Sequence, residues 1–458
     1  MARPKVLLLG KIELAHKEWS KMSCLAEIIE PKARSREEFI QECKAGAFDG
    51  VVAAFRTVGS VAITGKIDED LVPILPRSLN FIVHNGAGYD QIDVHTCTEH
   101  DIQVANVPMV ADNATADVNM FLILGALRGF NTSMVALRNG LWKGFSPPPF
   151  GHDPQGKVLG ILGMGGIGQN LMKKASAFGM TVQYHNRSKL SDELSGEAKY
   201  VSFEELLRTS DVLSLNLPLN KSTHHIISTK EFELMKECVV IVNTSRGAVM
   251  DEDALVKALH EGKVWSCGLD VFEDEPKVHP CLIANSHVML LPHMGTWTVE
   301  TQMNMEIWCI KNVWSALEKG RLMSPVLEHK DFPGTIKHKT HPSIACLGIS
   351  CEKYNVVRHA LVLPITLVHG TGYKLFASKG CVGNAVYDSP GNNCDYNCHL
   401  PDYRSVLVYN YTPGNDIRVP IANQDCGGAT LKPGYPTNGC FDNYPGSDEK
   451  TNALIVDC

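Results

Sequence analysis

From Lys157 onward the chain repeats one pattern, in which a short apolar run is followed by a helical segment and then by another apolar run. Such repeats are typical of a doubly wound Rossmann domain, because parallel strands must be joined by crossovers that are usually helices. No other feature of the sequence restricts the fold as strongly. The predicted strands are 158–162, 181–184, 212–217, 239–242, 266–271 and 288–291, and the predicted helices between them include 169–178 and 250–261.

The residues before this repeat alternate in the same way and predict a second, smaller α/β layer. The apolar stretch 113–127 predicts a long buried helix that bridges two domains. The helical pattern of 300–319 predicts a helix that returns to pack on the first layer. Further predicted elements are strands at 6–9, 51–54 and 81–83 and a helix at 35–44.

A chain of 458 residues is too long for one ordinary hydrophobic core. We predict a dinucleotide-binding Rossmann domain at 116–299, inserted in a smaller flavodoxin-like α/β substrate domain. The substrate domain consists of 1–115 and 300–330. Residues 331–458 are predicted to form a cysteine-rich extension that is poorly packed or made of β-strands and coil.

The composition argues against several classes of function. Lys and Arg number 43 against 50 Asp and Glu, for a formal net charge of -7, and no basic tract predicts a nucleic-acid partner. The apolar run 6–10 is too short for a signal peptide or a membrane span, so we expect a cytoplasmic location and no membrane partner. The seven cysteines before residue 330 lack metal-ligand spacing. We therefore expect reduced thiols and predict no metal site.

The hexamer GMGGIG at 163–168 is a G-x-G-x-x-G motif. Such hexamers often mark only a turn, but this one follows the first predicted strand of the repeat and opens the helix from Gln169. In that position Gly163 permits a tight turn, Gly165 lets the backbone approach a pyrophosphate, and Gly168 lets helix and strand pack closely. The helix N-terminus stabilises the phosphate charge. We assign the dinucleotide site to Gly163, Gly165, Gly166, Ile167 and Gly168.

The end of the next strand bears on the choice between NAD and NADP. A carboxylate is expected roughly 20 residues after the glycines, where it binds the ribose 2′-hydroxyl. The chain has Asn186, Arg187 and Ser188 there instead. Asn186 removes the negative charge that would repel a 2′-phosphate, and Arg187 is a planar donor that can bind one. We expect NADP(H) to be favoured, with NAD(H) possible; the alternative for Arg187 is a solvated loop residue.

Three candidate catalytic residues each lie just after a predicted strand: Arg246, Glu275 and His293. Ligands of open α/β sheets bind at the carboxyl ends of the strands, so the three residues point to one crevice. Singly, the histidine is more often structural, the arginine can cap a helix, and the glutamate can be an ordinary loop carboxylate. Their joint occurrence downstream of a nucleotide motif favours catalysis.

The chemistry that suits this set is the reduction of a 2-keto acid. Such a substrate has a carboxylate to be held and a carbonyl that becomes an alkoxide as hydride arrives. Arg246 offers two parallel donors for the carboxylate and can polarise the carbonyl. His293 can donate the proton to the alkoxide, and Glu275 beside the ring would orient it and favour its protonated form.

Up to about residue 330 the chain resembles the D-isomer-specific 2-hydroxyacid dehydrogenase family. The resemblance rests on GAGYD at 86–90, NATAD at 113–117, the glycine motif and the three catalytic stretches. Within the family, VANVP at 104–108, THH at 223–225 and PHMGT at 292–296 are similar to fungal glyoxylate/hydroxypyruvate reductases. Residues 331–458 are unrelated to this family.

The resemblance implies roles for individual residues. Arg246 would bind substrate, His293 would be the acid/base with Glu275 as its partner, and amides near Ala87 and Gly88 would hold the substrate carboxylate. The family also implies a homodimer formed through the nucleotide domains, which the loop at 146–154 would suit. The resemblance assigns further cofactor contacts to Asn186, Arg187, Ser188, Pro218, Thr244, Ser245, Asp270, His293 and Gly295.

Two other functions stay open at this point. D-mandelate dehydrogenases, which act on aromatic 2-keto acids, share the opening R-P-x-V-L-L-L-G. Trp297 lies just beyond His293, where an aromatic side chain would favour a bulkier substrate; packing at the domain joint is the more common role of such a residue. The second alternative is an NAD(H)-sensing binding protein of the corepressor type, because such proteins share the fold.

The last part of the chain has a different composition. Basic Arg358-His359, the apolar run 360–368 and small residues beyond it resemble a signal peptide. Six cysteines follow, as in a small secreted disulfide-rich protein. We interpret this as two neighbouring genes joined in one predicted gene model; the alternative is a genuine extension whose apolar run is a core strand. The six cysteines are Cys381, Cys394, Cys398, Cys426, Cys440 and Cys458.

Overall fold

The computed structural model describes residues 3–142 and 150–332, together with short strands between 374 and 457. The chain divides into two compact units, residues 1–347 and residues 348–458. The predicted division of the first unit into a substrate domain and a nucleotide domain stays a prediction. The signal-like segment at 358–372 and the six cysteines after it lie outside the described residues.

The first unit opens with a parallel five-stranded sheet in the order β2-β1-β3-β4-β5. This is the flavodoxin-like order of a doubly wound fold, as predicted. The strands are β1 (Lys5–Leu9), β2 (Glu27–Ile29), β3 (Val51–Thr57), β4 (Phe81–Asn85) and β5 (Gln103–Ala105). The helices are α1 (His16–Ser20), α2 (Arg36–Lys44), α3 (Val61–Thr64) and α4 (Val94–Glu99).

A second parallel sheet has seven strands in the order β12-β11-β10-β9-β6-β7-β8. Read from β6, this is the Rossmann order 3-2-1-4-5-6 with one strand added, which confirms the predicted fold class. The strands are β6 (Val158–Leu162), β7 (Thr181–His185), β8 (Lys199–Tyr200), β9 (Val212–Leu215), β10 (Val239–Asn243), β11 (Val264–Leu269) and β12 (Met289–Leu290). The helices are α5 (Asp112–Arg128), α6 (Phe130–Arg138), α7 (Gly166–Ala177), α8 (Asp192–Ser195), α9 (Phe203–Thr209), α10 (Thr229–Leu234), α11 (Glu252–His260) and α12 (Pro280–Ala284).

Two long helices cover the sheets. Helix α5 packs its buried face on the seven-stranded sheet, where Leu122 and Ile123 share a core with Ile161. The last helix, α13 (Val299–Lys319), packs Cys309 and Val313 against the five-stranded sheet. The prediction that 300–319 returns to the first sheet is therefore confirmed.

Small differences from the predicted boundaries have local causes. Helix α7 begins at Gly166 rather than at Gln169, because Gly165 is its N-cap and the glycine motif itself forms the first turn. Strand β11 ends at Leu269 rather than at Val271, because the carboxylate of Asp270 accepts backbone N–H groups of the next loop. Helix α6 was not predicted from the sequence. The seven cysteines before residue 330 are free thiols, as predicted.

Among the described residues, no single helix is long and apolar enough to cross a membrane. Taken together, α5 and α6 have the length and composition of a membrane span, but the two helices bend by 80° at their junction.

The unit 348–458 contains short antiparallel pairings. The three-stranded sheet has the order β15-β19-β18, and β13–β14 and β16–β17 form pairs. The strands are β13 (Lys374–Leu375), β14 (Tyr387–Asp388), β15 (Ser405–Val408), β16 (Arg418–Val419), β17 (Ala429–Thr430), β18 (Phe441–Asn443) and β19 (Leu454–Asp457).

Candidate active site

The glycine motif forms a cradle between β6 and α7. Gly163 has a φ of +99°, and a Cβ there would lie 2.7 Å from the carbonyl oxygen of Asn216. A Cβ on Gly168 would lie 2.7 Å from the carbonyl oxygen of Gly163, so helix and strand meet closely only with glycine. Gly165 has no atom within 4 Å of an added Cβ, which leaves its outer side open. The backbone thus offers the N-terminus of α7 to an approaching phosphate.

The end of β7 joins this cradle. Asn186 Oδ1 accepts a hydrogen bond from the backbone N–H of Met164 at 2.7 Å. The hydroxyl of Tyr200 donates to the carbonyl oxygen of Asn186 at 3.1 Å. Arg187 and Ser188 are exposed, and Arg187 makes no ion pair with any residue in the described part of the chain. The guanidinium is therefore free to meet an anion at the edge of the cradle.

Polar side chains fix the backbone at the end of β10. Asn119 Nδ2 donates to the hydroxyls of Ser214 and Thr244, each at 2.9 Å, in the buried space beside α5. Asn243 Nδ2 donates to the carbonyl oxygen of Arg246 at 2.9 Å, and its Oδ1 accepts from the backbone N–H of Ser245 at 3.0 Å. These bonds hold the turn from which the Arg246 side chain extends.

Arg246 reaches across to the loop that follows β4. Its Nε donates to Asp90 Oδ1 at 2.8 Å, and its Nη1 donates to the carbonyl oxygen of Ser245 at 2.7 Å. Its Nη2 occupies the place that a side chain on Gly88 would fill, so only glycine admits the guanidinium here. Burial raises the pKa of Asp90, but the adjacent Arg246 outweighs burial, and the pKa lies below its usual value.

A buried pair lies beneath this loop. Arg56 Nη1 approaches His84 Nδ1 at 3.0 Å, and His84 Nε2 approaches the carbonyl oxygen of Gly88 at 3.0 Å. A guanidinium only donates and a carbonyl only accepts, so His84 is neutral with its hydrogen on Nε2. Burial and the charge of Arg56 lower the pKa of His84 to about 3. Burial likewise lowers the pKa of Arg56 to about 10.

His293 and Glu275 form the second half of the site. His293 Nδ1 lies 2.9 Å from Glu275 Oε2, and Glu275 Oε1 accepts the backbone N–H of Phe272 at 3.0 Å. Because the carboxylate accepts, Nδ1 carries the hydrogen and Nε2 is the atom that faces a substrate. Burial raises the pKa of Glu275, but its hydrogen bond with His293 and the positive charges nearby outweigh burial and lower the pKa.

Asp270 holds the turn that positions this histidine. Its carboxylate accepts the backbone N–H groups of Met294 at 2.6 Å and Gly295 at 2.8 Å, and His293 N–H donates to its carbonyl oxygen at 2.8 Å. His293 itself has a φ of +57°, a conformation uncommon outside glycine. Burial raises the pKa of Asp270, and the two N–H donors oppose only part of that rise.

The structure places several of the predicted site residues in contact with one another. Arg246 meets Gly88, His293 meets Glu275, and Asp270 holds the turn of His293 and Gly295. Pro218 follows β9, and the contact that the structure gives it is a hydrogen bond from the Thr223 hydroxyl to its carbonyl oxygen at 2.6 Å.

Three residues of the site were missed as functional residues: Asp90, His84 and Arg56. Arg56 and His84 lie near the carboxyl ends of β3 and β4, so the rule that identified Arg246 would have found them. Asp90 was noticed only as part of a motif. Its pairing with Arg246 joins residues 156 positions apart, which no local pattern reveals.

Comparison with known proteins identifies the family. Residues 120–295 match the NAD-binding domain of the D-isomer-specific 2-hydroxyacid dehydrogenases. The 4-methyl-2-oxopentanoate reductase A of Aspergillus oryzae is 54% identical over 328 residues, covering 72% of this chain and 99% of that protein. The chain belongs to the D-isomer-specific 2-hydroxyacid dehydrogenase family.

Solved structures of this family agree with the fold. A glyoxylate reductase from Paecilomyes thermophila has 52% identity and a TM-score of 0.70, covering 72% of this chain and all of that one (100%). A D-mandelate dehydrogenase from Rhodotorula graminis in its holo form has 33% identity and a TM-score of 0.67, covering 71% and 98%. As a member of the family, the chain is an oxidoreductase of 2-keto and 2-hydroxy acids.

The cradle fits the nicotinamide dinucleotide that this family uses. Gly165 leaves room for a pyrophosphate against the backbone, and Gly163 and Gly168 admit no side chain. The Asn186 amide lies at the point where the ribose would meet the loop. The assignment of the dinucleotide to the residues of the motif and of the end of β7 stays a prediction.

Proposed function

We propose that this dehydrogenase reduces small 2-keto acids, foremost glyoxylate and hydroxypyruvate, to 2-hydroxy acids with NADPH. The observation that supports this most directly is that two groups of interacting side chains follow the carboxyl ends of the strands. One is Arg246 against Gly88 and Asp90, and the other is His293 with Glu275. The first suits a carboxylate, and the second suits proton transfer to an alkoxide.

The substrate carboxylate is assigned to the edge formed by Arg246 and the loop at Ala87–Gly88. The Arg246 guanidinium is planar and is aimed by Asp90, so it presents its remaining N–H groups in a fixed direction. Asn106 Nδ2 donates to the carbonyl oxygen of Ala87 at 2.7 Å, which helps to hold the loop in place. Asp90 is one anion beside Arg246. The substrate carboxylate would be a second, and it would be bound without rearrangement of the backbone.

His293 is assigned the proton transfer. Its Nδ1 is engaged by Glu275, so its Nε2 is the atom that delivers the proton to the carbonyl oxygen of the substrate. The carboxylate of Glu275 stabilises the imidazolium that exists before transfer, and the turn held by Asp270 keeps the ring in place. The reduced nicotinamide, when bound, supplies the hydride.

The preference for NADPH rests on the end of β7. Asn186 bonds to the glycine motif and brings no negative charge, and Arg187 is exposed and unpaired within the described residues. Exchange of Arg187 for Ala should lower kcat/KM with NADPH by roughly tenfold to 10²-fold, because a charge-assisted hydrogen bond contributes about 1.5–3 kcal/mol, and leave the value with NADH nearly unchanged. Equal losses with both cofactors would contradict the assignment.

A bulkier substrate is the second candidate. Trp297 is 70% exposed and lies four residues beyond His293, and its backbone N–H donates to the carbonyl oxygen of Met294 at 2.9 Å. An exposed indole beside the site offers apolar surface to a branched or aromatic side chain. The similar proteins that act on 4-methyl-2-oxopentanoate and on mandelate give this candidate further weight.

The deciding experiment is the initial rate of the full chain with glyoxylate, hydroxypyruvate, 4-methyl-2-oxopentanoate and phenylglyoxylate, each against NADPH and NADH. Preference for the two small acids with NADPH supports the proposal. Preference for either bulky acid moves the assignment to the second candidate. Turnover of none of them would contradict both and favour a nucleotide-sensing binding protein.

We also propose that the protein is a cytoplasmic homodimer. Helix α6 exposes a row of apolar side chains that a partner copy would cover, and Phe150 beyond the following loop is 98% exposed. Sedimentation at equilibrium tests the dimer. The exposed side chains are Phe130, Met134, Val135 and Leu137 on α6, and Leu141 and Trp142 just after it.

A further inference from the structure

The loop that carries Glu275 carries a second carboxylate, and each of the two bonds to a histidine. Glu275 Oε2 meets His293 Nδ1 at 2.9 Å, and Glu273 Oε1 meets His225 Nε2 at 2.6 Å. The proposed reaction uses only the first pair. Glu273 lies two positions from Glu275 on the same loop, and its pair with His225 takes no part in that chemistry.

Another histidine adjoins the second pair. The ring of His224 stacks on that of His225, with centroids 4.0 Å apart and an interplanar angle of 26°. One donor atom each from His224, His225 and Glu273 lie within 4.8 Å of one another. Two imidazoles and one carboxylate are ligands that borderline divalent cations such as Zn²⁺, Co²⁺, Ni²⁺ and Cu²⁺ prefer.

The backbone holds these ligands in place. His225 has a φ of +50°, and its N–H donates to the carbonyl oxygen of Ala248 at 2.9 Å. Five non-glycine residues in the described part of the chain have a positive φ, and two of them are His225 and His293. Both histidines whose rings meet this loop are thus held in a conformation that side chains rarely adopt.

The carboxylate has its own support and an open side. Glu273 Oε2 accepts the backbone N–H of Glu252 at 3.3 Å, and the backbone N–H of Glu273 donates to Glu252 Oε2 at 3.0 Å. Bonds of this kind orient metal-ligating carboxylates. The side chains of His225 and Glu273 are 32% and 34% exposed, so a cation and its remaining waters have access.

We propose that His224, His225 and Glu273 form a binding site for a borderline divalent transition-metal cation. The sequence predicted no metal site, because His225 and Glu273 are 48 positions apart and no local spacing unites them. A bound cation would replace the His225–Glu273 hydrogen bond and tie the loop of Glu275 to the turn after β9. The site is independent of the proposed substrate and of the cofactor.

Co²⁺ is the probe that tests the site, titrated into the full chain and followed by absorption. The bands of cobalt bound by imidazole and carboxylate differ from the charge-transfer bands of cobalt bound by cysteine thiolates. We expect one equivalent with an imidazole and carboxylate spectrum. The exchange His224→Ala should weaken this binding by at least about tenfold, because it removes a ligand. Substitution of a residue that only hydrogen-bonds to a ligand already lowers metal affinity by about tenfold or more.

The matched control is His95→Ala, which removes a histidine that is 82% exposed and pairs with one acidic residue on α4. It should bind Co²⁺ as the wild type does. The second variant, Glu273→Gln, keeps the side-chain shape and should also lose the site. The proposal is overturned if the wild type shows only thiolate bands, if it binds no Co²⁺, or if His224→Ala binds it undiminished.

Discussion

The two sheets bring titratable side chains to the active site, buried from one sheet and solvent-exposed from the other. From the five-stranded sheet come His84 and Arg56, which are 1% and 0% exposed. From the seven-stranded sheet come His293 and Glu275, whose side chains are 45% and 36% exposed. Both sets lie near the carboxyl ends of parallel strands or just after them, so topology alone does not distinguish them.

The difference in burial separates binding from proton transfer. His84 has a pKa of about 3, so it stays neutral near neutral pH and keeps its hydrogen on the atom that faces Gly88. It is therefore a fixed support for the loop at Gly88, to which we assign the substrate carboxylate. His293 is reached by solvent and engages Glu275, so it can regain a proton after each turnover. Substitutions in the first set should change KM, and substitutions in the second should change kcat.

Apart from loss of His293 itself, the largest effect is expected where the two sets meet. Arg246→Lys keeps the positive charge but loses the planar pair of donors and the bond from Nε to Asp90. We expect kcat/KM for glyoxylate to fall by about 10²–10³-fold, as on removal of one donor to a developing oxyanion. Arg208→Lys, a surface arginine paired with Glu204, is the matched control and should retain full activity. Equal rates for Arg246→Lys and wild type would contradict its role.

A smaller effect is expected for the partner of the histidine. Glu275→Gln keeps an oxygen near His293 Nδ1 but removes the charge that stabilises the imidazolium. We expect kcat to fall by roughly tenfold to 10²-fold, with KM nearly unchanged. This is less than the full contribution of general acid catalysis, because His293 is still present. Glu237→Gln, whose carboxylate is 79% exposed and pairs with Lys263, is the control. A rise in KM without a fall in kcat would refute the division between the sheets.

The support beneath the loop should affect binding alone. His84→Gln disturbs the bond to the carbonyl oxygen of Gly88 and should raise KM for glyoxylate by up to about tenfold with little change in kcat. His329→Gln is the matched control, because His329 is equally buried and bonds to β5 and to Thr98, away from the site. If both variants raise KM equally, His84 affects KM only through the stability of the fold, and its proposed role as a support of the loop at Gly88 is contradicted.

The smallest effect concerns stability against pH. The folded pKa of His84 is about 3 against an ordinary 6.5, so the unfolded chain binds more protons between these values. The free energy of unfolding should therefore be greatest above about pH 6.5 and should decrease as the pH falls towards 3. His84→Gln should show a flatter decrease in denaturant titrations over this range. An unchanged slope would show that His84 does not contribute.

Most of the fold followed from local patterns, because strands, crossover helices and the glycine motif each occupy contiguous residues. Arg246, Glu275 and His293 followed as well, since each lies just after a strand. The pairing of Arg246 with Asp90, the His84–Arg56 support and the His224–Glu273 cluster did not, because they depend on contacts between segments far apart in the chain. Burial also distinguishes His84 from His293, to which proton transfer is assigned, and a single sequence does not reveal burial.

The most direct test of the central claim is kcat for His293→Gln at saturating glyoxylate and NADPH, measured beside KM in the full chain. The division between the sheets predicts that kcat falls by about 10²–10⁴-fold, the usual contribution of a general acid, while KM stays near the wild-type value. His260→Gln, at the end of α11, should keep both values. A wild-type kcat for His293→Gln, or a loss confined to KM, would contradict the assignment of proton transfer to the seven-stranded sheet.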